Sequence, residues 1–579
     1  MNSKKYRNSF YEVRQISSIR DMFLGSTEMF ADRTAYLVKE RPGGKYVPVS
    51  YAKVRKDVDS LGTGLVNLGL KGKKIAIVGE NSYEWVMTYF AVVNGVGVVV
   101  PLDKELPPGE MRNLIERAHL GAIVYSKKCE KLVLEAISDL PEGERIEHLI
   151  CMKDEHHEDS KSLSDVIEAG RKSLESGDRS YIDSEIDDEA LCTLMFTSGT
   201  TGMSKGVMLS HRNLAANVYN MSKYVHIREG GVGLSVLPMH HAYEMTCHIF
   251  TAFYQGVTVA VCEGLKYIMK NMNEAGATVM LGVPLIFENA HKKIMKNAEA
   301  KGKYDTMRQM IELSKKYKLY NKPKVVKKIF KDVHAAFGGK MELLIVGGAP
   351  INPKIIEDFQ AMGIPMIQGY GMSENSPIIA VNRDRYSKPS AAGFPMPGTE
   401  VKIVDMAPDG VGEIVVRGPS VMIGYFENEE ATKEAIRGDW LYTGDYGYFD
   451  NDGFLYISGR KKNVIVTKNG KNIFPEEIEH QLNESVYISE SLVHGIIDEK
   501  SGDTVVKAEI YPDYAQIKED VGELEDIELE RFIKKIVEEV NDSMPGYKRV
   551  MRIGIRRTEF IKNSSRKIRR NEEGNYKES

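Results

Sequence analysis

Leu191-Cys-Thr-Leu-Met-Phe196 runs into Thr197-Ser198-Gly199-Thr200-Thr201-Gly202-Met203-Ser204-Lys205, and Gly206-Val-Met-Leu-Ser210 leads out. Two apolar runs flank a loop of hydroxyls, glycines and one lysine, which reads as strand, loop, strand. Glycines let backbone N–H groups turn toward an anion, the hydroxyls add donors, and Lys205 adds a charge-assisted one. The stretch is therefore a candidate phosphate cradle. A P-loop, G-x-x-x-x-G-K-[ST], fails at both flanks, because Ser204 precedes Lys205 and Gly206 follows it. A P-loop would also open a helix directly, whereas here a second apolar strand follows. A plain polar hairpin is the alternative, and the density of donors between two strands favours phosphate.

Working outward, strand alternates with helix. Ile75 to Val78 reads as a strand, a Gly-Glu-Asn turn follows, then an amphipathic helix near Glu84 to Val93 and a β-rich run from Val96 to Pro101. The rhythm returns at Gly121 to Tyr125, Gly256 to Val261, Thr278 to Leu281 and Leu343 to Val346, predicting mostly parallel sheets covered by helices. After about Ala392 short strands with Gly, Pro and Asp turns take over, at Val401 to Val404, Gly412 to Val416 and Phe454 to Ile457. Arg460-Lys461-Lys462-Asn463 breaks that pattern. Beyond it a strand at Val464 to Thr467, a helix after Pro475, two strands, a long helix and a last strand predict a separate unit. In the long helix Phe532, Ile533, Ile536, Val537 and Val540 share one face, which marks core packing rather than a membrane anchor.

The expected fold class is α/β: a large N-terminal domain of helix-covered β-sheets with a β-rich subdomain, plus a small mobile α+β C-terminal domain. The expected divisions are 1–459, a hinge at 460–462, and 463–579. At 579 residues the chain exceeds what one core usually serves. Seventy-eight basic against 82 acidic residues, a net charge of −4, argue against nucleic acid as the main partner. Five scattered cysteines without a C-x-x-C pair suggest neither a disulfide framework nor a zinc site. The acidic, His-containing run Asp154 to Asp159 matches no ligand spacing and reads as a solvated loop. The charged N-terminus lacks a signal-type apolar core, and no run of about 18 apolar residues occurs, so a cytoplasmic protein is expected.

Three further stretches carry chemistry. Gln368-Gly369-Tyr370-Gly371-Met372-Ser373-Glu374 places an aromatic ring, a hydroxyl and a carboxylate after an apolar segment. Tyr370 suits stacking on a base and Glu374 suits a metal, a surface turn being the bland alternative. Tyr442-Thr-Gly-Asp445 sets a carboxylate among glycines, suited to the two hydroxyls of a ribose or simply to a β-turn. Phe560 to Arg570 is strongly basic but lacks interleaved aromatics. A lysine delivered to a phosphate in the other domain is the sharper reading than RNA binding or a solvated tail.

These four motifs, in this order, resemble those of the adenylate-forming acyl-CoA synthetases, over roughly Tyr51 to Arg570. The nearest likeness is to bacterial long-chain fatty acid CoA ligases. The resemblance implies that Thr197, Ser198, Gly199, Thr200, Thr201, Gly202 and Lys205 hold the phosphates of ATP, and that Tyr370, with Gly369 and Gly371, stacks on adenine near Gly348-Ala349-Pro350. It implies Ser373 at phosphate, Glu374 and Thr197 at Mg2+, and Asp445 with Arg460 at the ribose. His241 matches the histidine beside the acyl carboxylate, with His240 as the alternative of the pair. Lys462 matches the hinge, Gly470 the loop that approaches the pantetheine thiol of CoA, and Lys567 the lysine needed for adenylation. Ser204 stands where proline is usual, Ser373 and Asn563 where threonine is, and Arg566 where many members have glycine.

The implied reaction explains these parts. A carboxylate oxygen attacks the α-phosphorus of ATP, pyrophosphate leaves, and the CoA thiol then takes the acyl group from the adenylate while AMP leaves. Charge grows on phosphate oxygens, where a well-aimed donor contributes roughly 3 kcal/mol. The alternatives are an enzyme that loads a separate carrier protein, an aryl or short-chain acid CoA ligase, and a silent nucleotide-binding module. The resemblance also allows weak peripheral membrane contact for collecting the acid.

Overall fold

The computed structural model describes residues 9–141, 145–197, 204–384, 386–467, 471–498, 503–562, 568–570 and 572–576. Its body is built on two large sheets. One has nine strands in the order Phe394–Pro395, Ile378–Val381, Met366–Gly371, Leu343–Val346, Val279–Gly282, Val232–Ser235, Thr258–Val261, Thr34–Val38, Val47–Ser50. The other has eight, with Lys74–Val78, Val98–Leu102 and Leu120–Tyr125 at its centre. Central pairs are parallel in both and antiparallel pairs lie toward the edges.

Period-two alternation explains the layering. Ile75 and Ile77 point into a core shared by both sheets, together with Val54, Leu61, Phe90 and Phe250 from the helices between them. Ala76 and Val78, on the opposite face, pack under outer helices through Met111, Ile115 and Val133. The nine-stranded sheet has its own outer layer, where Leu234, Met280 and Leu344 meet Phe287, Phe337 and Phe359. The result is five layers, helices alternating with sheets. Two of the helices, Tyr51–Asn67 and Leu163–Glu175, touch backbone to backbone: a Cβ on Gly170 would stand 1.9 Å from the Ser60 carbonyl oxygen. Helix starts follow local chemistry, as where Ser82 accepts from the Trp85 N–H and where Ser210 and Asn213 cap each other reciprocally.

A wholly antiparallel five-stranded sheet follows, including Glu400–Val404, Gly412–Arg417, Trp440–Phe449 and Leu455–Arg460. From Ile465 onward the chain closes a separate core around Ile478, Val493, Ala508, Ile533 and Val537. Its sheet pairs Ile488–Ile497 antiparallel with Thr504–Pro512, which pairs parallel with Val550–Ile555. This part reaches back to the body through Lys292–Asp513, Lys296–Glu519 and Lys354–Glu484, at 2.9, 2.7 and 3.0 Å.

Two local expectations shift. The helix predicted to Val93 ends at Ala91 and continues as a wide turn, Val92–Val96, because Gly95 adopts φ 156° there. The following strand accordingly starts at Val98 rather than Val96. A helical excursion between Pro284 and Ala336, unannounced by the strand rhythm, leaves the nine-stranded sheet and returns at Leu343. Among the described residues no helix is long and apolar enough to cross a membrane.

Candidate active site

The two sheets present the C-terminal ends of their parallel strands to a common region, where open α/β sheets place ligands. Leu343–Val346 ends in Gly348-Ala349-Pro350, which is exposed, with Gly348 at φ 83°. Its parallel neighbour Met366–Gly371 carries Gly369, Tyr370 and Gly371, in register with Val346 opposite Gln368. Gly371 has to be glycine, since a Cβ there would lie 2.1 Å from the Pro377 carbonyl oxygen. Ser373 and Glu374 follow in a short turn that a hydrogen bond from the Met422 N–H to the Glu374 carbonyl, 2.8 Å, holds in place. Further along the same sheet edge, Val232–Ser235 leads to His240 and His241.

The predicted hairpin forms: Leu191–Thr197 pairs antiparallel with Lys205–Ser210, Thr197 standing opposite Lys205. Ser198, Gly199, Thr200, Thr201, Gly202, Gly470 and Lys567 lie outside the described residues. The Thr197 hydroxyl reaches the Lys205 carbonyl at 3.4 Å. The Lys205 ammonium sits 4.7 Å from the centre of the Tyr425 ring, and the Tyr425 hydroxyl donates to Glu374 Oε1 at 2.8 Å. One aromatic residue thus ties the loop lysine to the carboxylate. Tyr425 arrives there because Gly424–Tyr425 pairs antiparallel with Val207 and Met208. Mg2+ takes one or two carboxylates together with phosphate oxygens and waters. Glu374, with one oxygen committed to Tyr425, fits that demand.

Asp445 and Arg460 face each other as a cross-strand pair between Trp440–Phe449 and Leu455–Arg460. Arg460 Nε lies 2.8 Å from Asp445 Oδ1, and the Tyr370 hydroxyl donates to Asp445 Oδ2 at 2.5 Å. Burial and then the Asp445 charge push the Tyr370 phenol up, so it stays a donor. The Asp445 charge likewise raises Arg460. A carboxylate clamped at both oxygens has a fixed orientation and keeps lone pairs for a diol. Lys462 is exposed in the turn Lys461–Asn463, next to Lys461, which is ion-paired with Glu413.

The histidine loop is held from the other sheet. Asn81, just beyond Lys74–Val78, donates to the Leu237 carbonyl at 2.6 Å and accepts from the Met239 N–H at 3.0 Å. The rings of His240 and His241 lie 4.2 Å apart. Burial, reinforced by Lys104, lowers His240 to about 3, so it is neutral where Asp103 approaches it at 3.7 Å. The Tyr243 hydroxyl donates to the Ile345 carbonyl at 3.3 Å, and its ring would meet a Cβ on Gly347 at 3.0 Å. Beside it an apolar cavity of about 20 Å³ is lined by Tyr243, Cys247, Leu281, Val346, Gly369 and Ile378, among others. Asn81, Asp103, Tyr243 and Tyr425 escaped the sequence reading. The signal for Asn81 was its Gly-Glu-Asn turn directly after a strand; Tyr425 had none beyond a preceding glycine.

A family model described as AMP-binding enzyme matches residues 25–426, and one described as AMP-binding enzyme C-terminal domain matches residues 462–577. The chain is 29% identical over 516 residues to a peroxisomal long chain acyl-CoA synthetase of Arabidopsis thaliana, covering 85% of this chain and 73% of that one. It is 28% identical over 488 residues to a long-chain-fatty-acid–CoA ligase of Mycobacterium tuberculosis, covering 80% and 78%. It is 27% identical over 556 residues to a chloroplastic long-chain-fatty-acid–[acyl-carrier-protein] ligase of Arabidopsis thaliana, covering 83% and 74%. In fold it is similar to an anthranilate CoA ligase crystallised with anthranoyl-AMP, at a TM-score of 0.76 and 20% identity over 98% of both chains.

Proposed function

The chain belongs to the AMP-binding enzyme family, and we propose that within it the protein is an ATP-dependent acid-thiol ligase. It joins a long-chain fatty acid to CoA through an acyl adenylate, releasing AMP and pyrophosphate. The observation that carries this reading is one junction. Gly348, Tyr370, Glu374 and the Asp445–Arg460 pair meet at the strand ends, and Gly369 belongs at once to that nucleotide edge and to the apolar cavity. That cavity holds little more than a water, so side chains such as Tyr243, Cys247 and Leu281 must move apart to admit an acyl tail, whose carboxylate then lies next to a bound nucleotide.

The roles follow from the chemistry of each group. Tyr370 stacks on adenine, and Asp445, held by Tyr370 and Arg460, accepts from the ribose hydroxyls. Thr197, Ser198, Thr200, Thr201 and Lys205, with the loop glycines, donate to the phosphates. Ser373 donates there too, and Glu374 with Thr197 holds Mg2+, which supplies charge neutralisation at the phosphate oxygens when bound. His241 steadies the acyl carboxylate while its oxygen attacks the α-phosphorus, and Lys567 donates to the charge that grows there. Excluding water protects the mixed anhydride until the thiol attacks its carbonyl carbon.

The same reading divides the protein into an acyl- and nucleotide-binding part, residues 1–459, a hinge at 460–462 around Lys462, and a mobile part, 463–579, that delivers first Lys567 and then the Gly470 loop. Its support is the separate core beyond Ile465 and its contact with the body through exposed ion pairs, which contribute little each. All five cysteines are free and buried, which suits the reducing cytoplasm. The relative named for an acyl-carrier-protein acceptor keeps a carrier as the alternative thiol.

The test is acid-dependent ATP–pyrophosphate exchange over fatty, aryl and short acids, followed by thioester formation with CoA. Exchange with long acids and a CoA thioester is expected. Exchange without a CoA thioester would move the acceptor to a carrier protein, and absence of exchange across the panel overturns the assignment.

A further inference from the structure

The helical stretch after the histidine pair carries two polar side chains that the reaction leaves unused. The backbone is α-helical at Ala242–Glu244 and widens to a π-helix over Met245–Phe250, a conformation often found at functional sites. Across that change Glu244 and His248 face each other, His248 Nδ1 lying 2.9 Å from Glu244 Oε1, and both side chains are wholly shielded from solvent. Among the described residues the other atom of each, Glu244 Oε2 and His248 Nε2, has no hydrogen-bond partner. Two open polar atoms inside a core destabilise it unless a further group completes them.

The fold makes room for the pair. A Cβ on Gly233 would stand 2.3 Å from His248 Nε2, so the strand Val232–Ser235 gives up a side chain where the imidazole lies, with Val259 and Val279 in register on either side. Val279 and Leu281 share a face of their strand, and Leu281 lines the apolar cavity. On the helical side Tyr243 and Cys247 line the same cavity, and they directly precede Glu244 and His248 in the chain. The pair thus stands one strand to the side of the cavity, in the same layer between helix and sheet. An acyl tail that parts Tyr243, Cys247 and Leu281 runs beside it.

We propose that Glu244 and His248 form a polar subsite of the acyl pocket for a hydroxyl group carried on the chain of the acid, which makes a hydroxylated fatty acid the preferred substrate. The proposal rests on the ligase reading given above. An ionised carboxylate only accepts, so the Nδ1 proton of His248 points at Glu244 Oε1 and holds the carboxylate still. Oε2 then calls for a donor. The hydroxyl of the chain donates to it, and its oxygen accepts from Nε2 when the ring is charged. A ketone brings no proton for Oε2, a plain methylene leaves both atoms bare, and a second carboxylate meets the like charge of Glu244.

The full chain is assayed by ATP–pyrophosphate exchange with hexadecanoic acid, with its monohydroxy derivatives at successive carbons, and with the matching keto acids. At one position or two neighbouring ones, the hydroxy acid is expected to exceed both the plain and the keto acid in kcat/KM by about ten- to a hundredfold. That comparison within the parent protein needs no variant. Glu244→Gln should lower the ratio of hydroxy to plain acid, and Glu244→Leu/His248→Leu should bring it toward unity, with thermal melting run on both. Equal kcat/KM for the plain, hydroxy and keto acids in the parent protein would overturn the subsite while leaving the ligase standing, as would variants that lose activity toward plain and hydroxy acids alike with the ratio kept. No exchange with any of the acids removes the ligase reading itself, and the subsite with it.

Discussion

Removing the Tyr370 hydroxyl isolates the clamp on Asp445. The phenol donates across 2.5 Å to a carboxylate that Arg460 holds from the other side at 2.8 Å, and the carboxylate is almost fully buried. A hydrogen bond to a charged acceptor contributes about 1.5–3 kcal/mol, and about 1.4 kcal/mol corresponds to a factor of ten. Tyr370→Phe keeps the ring for stacking and frees the carboxylate to turn, so KM for ATP should rise about ten- to a hundredfold, with kcat little changed. Asp445→Asn keeps the shape but removes the charge, leaving Arg460 unpaired and a ribose acceptor weakened, so it should cost at least as much. Stability should respond weakly, because the Arg460 side chain is 51% exposed and water takes over its charge at a cost of no more than about 1 kcal/mol. Pyrophosphate exchange at varied ATP, run beside thermal melting, separates the two effects. An unchanged KM for ATP in both variants would refute ribose recognition by Asp445, and a large loss of melting temperature that accounts for the lost activity would make the trio structural.

The other predictions concern different parts of the molecule. Lys567→Ala should abolish pyrophosphate exchange yet still convert a supplied acyl adenylate to thioester; equal loss of both half-reactions contradicts the moving C-terminal part. Asp358 is 2% exposed and faces His291, Arg308 and Lys315, so Asp358→Asn should cost about 2 kcal/mol by urea unfolding, a cost reduced by the partial exposure of its partners. Burial lowers His240 to about 3 and His211 to about 4, from 6.5. Below pH 6.5 the unfolded chain takes up protons that the folded chain refuses, so stability falls as pH drops from 6.5 toward 3 and 4 respectively. Each histidine costs about 2 kcal/mol at pH 5, and His211→Gln should flatten the acid limb of a melting curve measured between pH 7 and 5.

The strand, loop, strand reading of Leu191 to Ser210 matches the observed hairpin because two near-continuous apolar runs flank a loop that gathers the turn residues in one place. Asp445 and Arg460 were each visible as polar residues at strand ends, but their pairing depends on register. A bulge between Tyr446 and Gly447 precedes the pairs that set Asp445 opposite Arg460, and a shift of one residue would have turned the carboxylate to the other face. Asn81, Asp103 and Tyr243 reach the site through contacts between elements far apart in the chain, which no local pattern encodes. The helices between Pro284 and Ala336 carry no strand of their own, so a strand and helix rhythm read from the strands leaves that stretch blank.

The same geometry explains why the site lies where two sheets meet. A parallel strand ends in a loop whose backbone groups have left the ladder, so such loops are free to take up polar duties. One sheet here supplies Gly348, Tyr370, Glu374 and the histidine pair, and the other supplies Asn81, which bonds the backbone of Leu237 and Met239 just before that pair, and the hairpin of Lys205. Removing the bridge should therefore act at a distance: Asn81→Ala strips the Leu237 carbonyl and the Met239 N–H of their partners, each left bare at about 1–3 kcal/mol if it stays dry. The loop that carries His241 then loses its position while the nucleotide residues keep theirs. The expected signature is a rise in KM for the acid with KM for ATP nearly unchanged, and a variant that loses both in parallel would mean that the two halves do not act as separate binding surfaces.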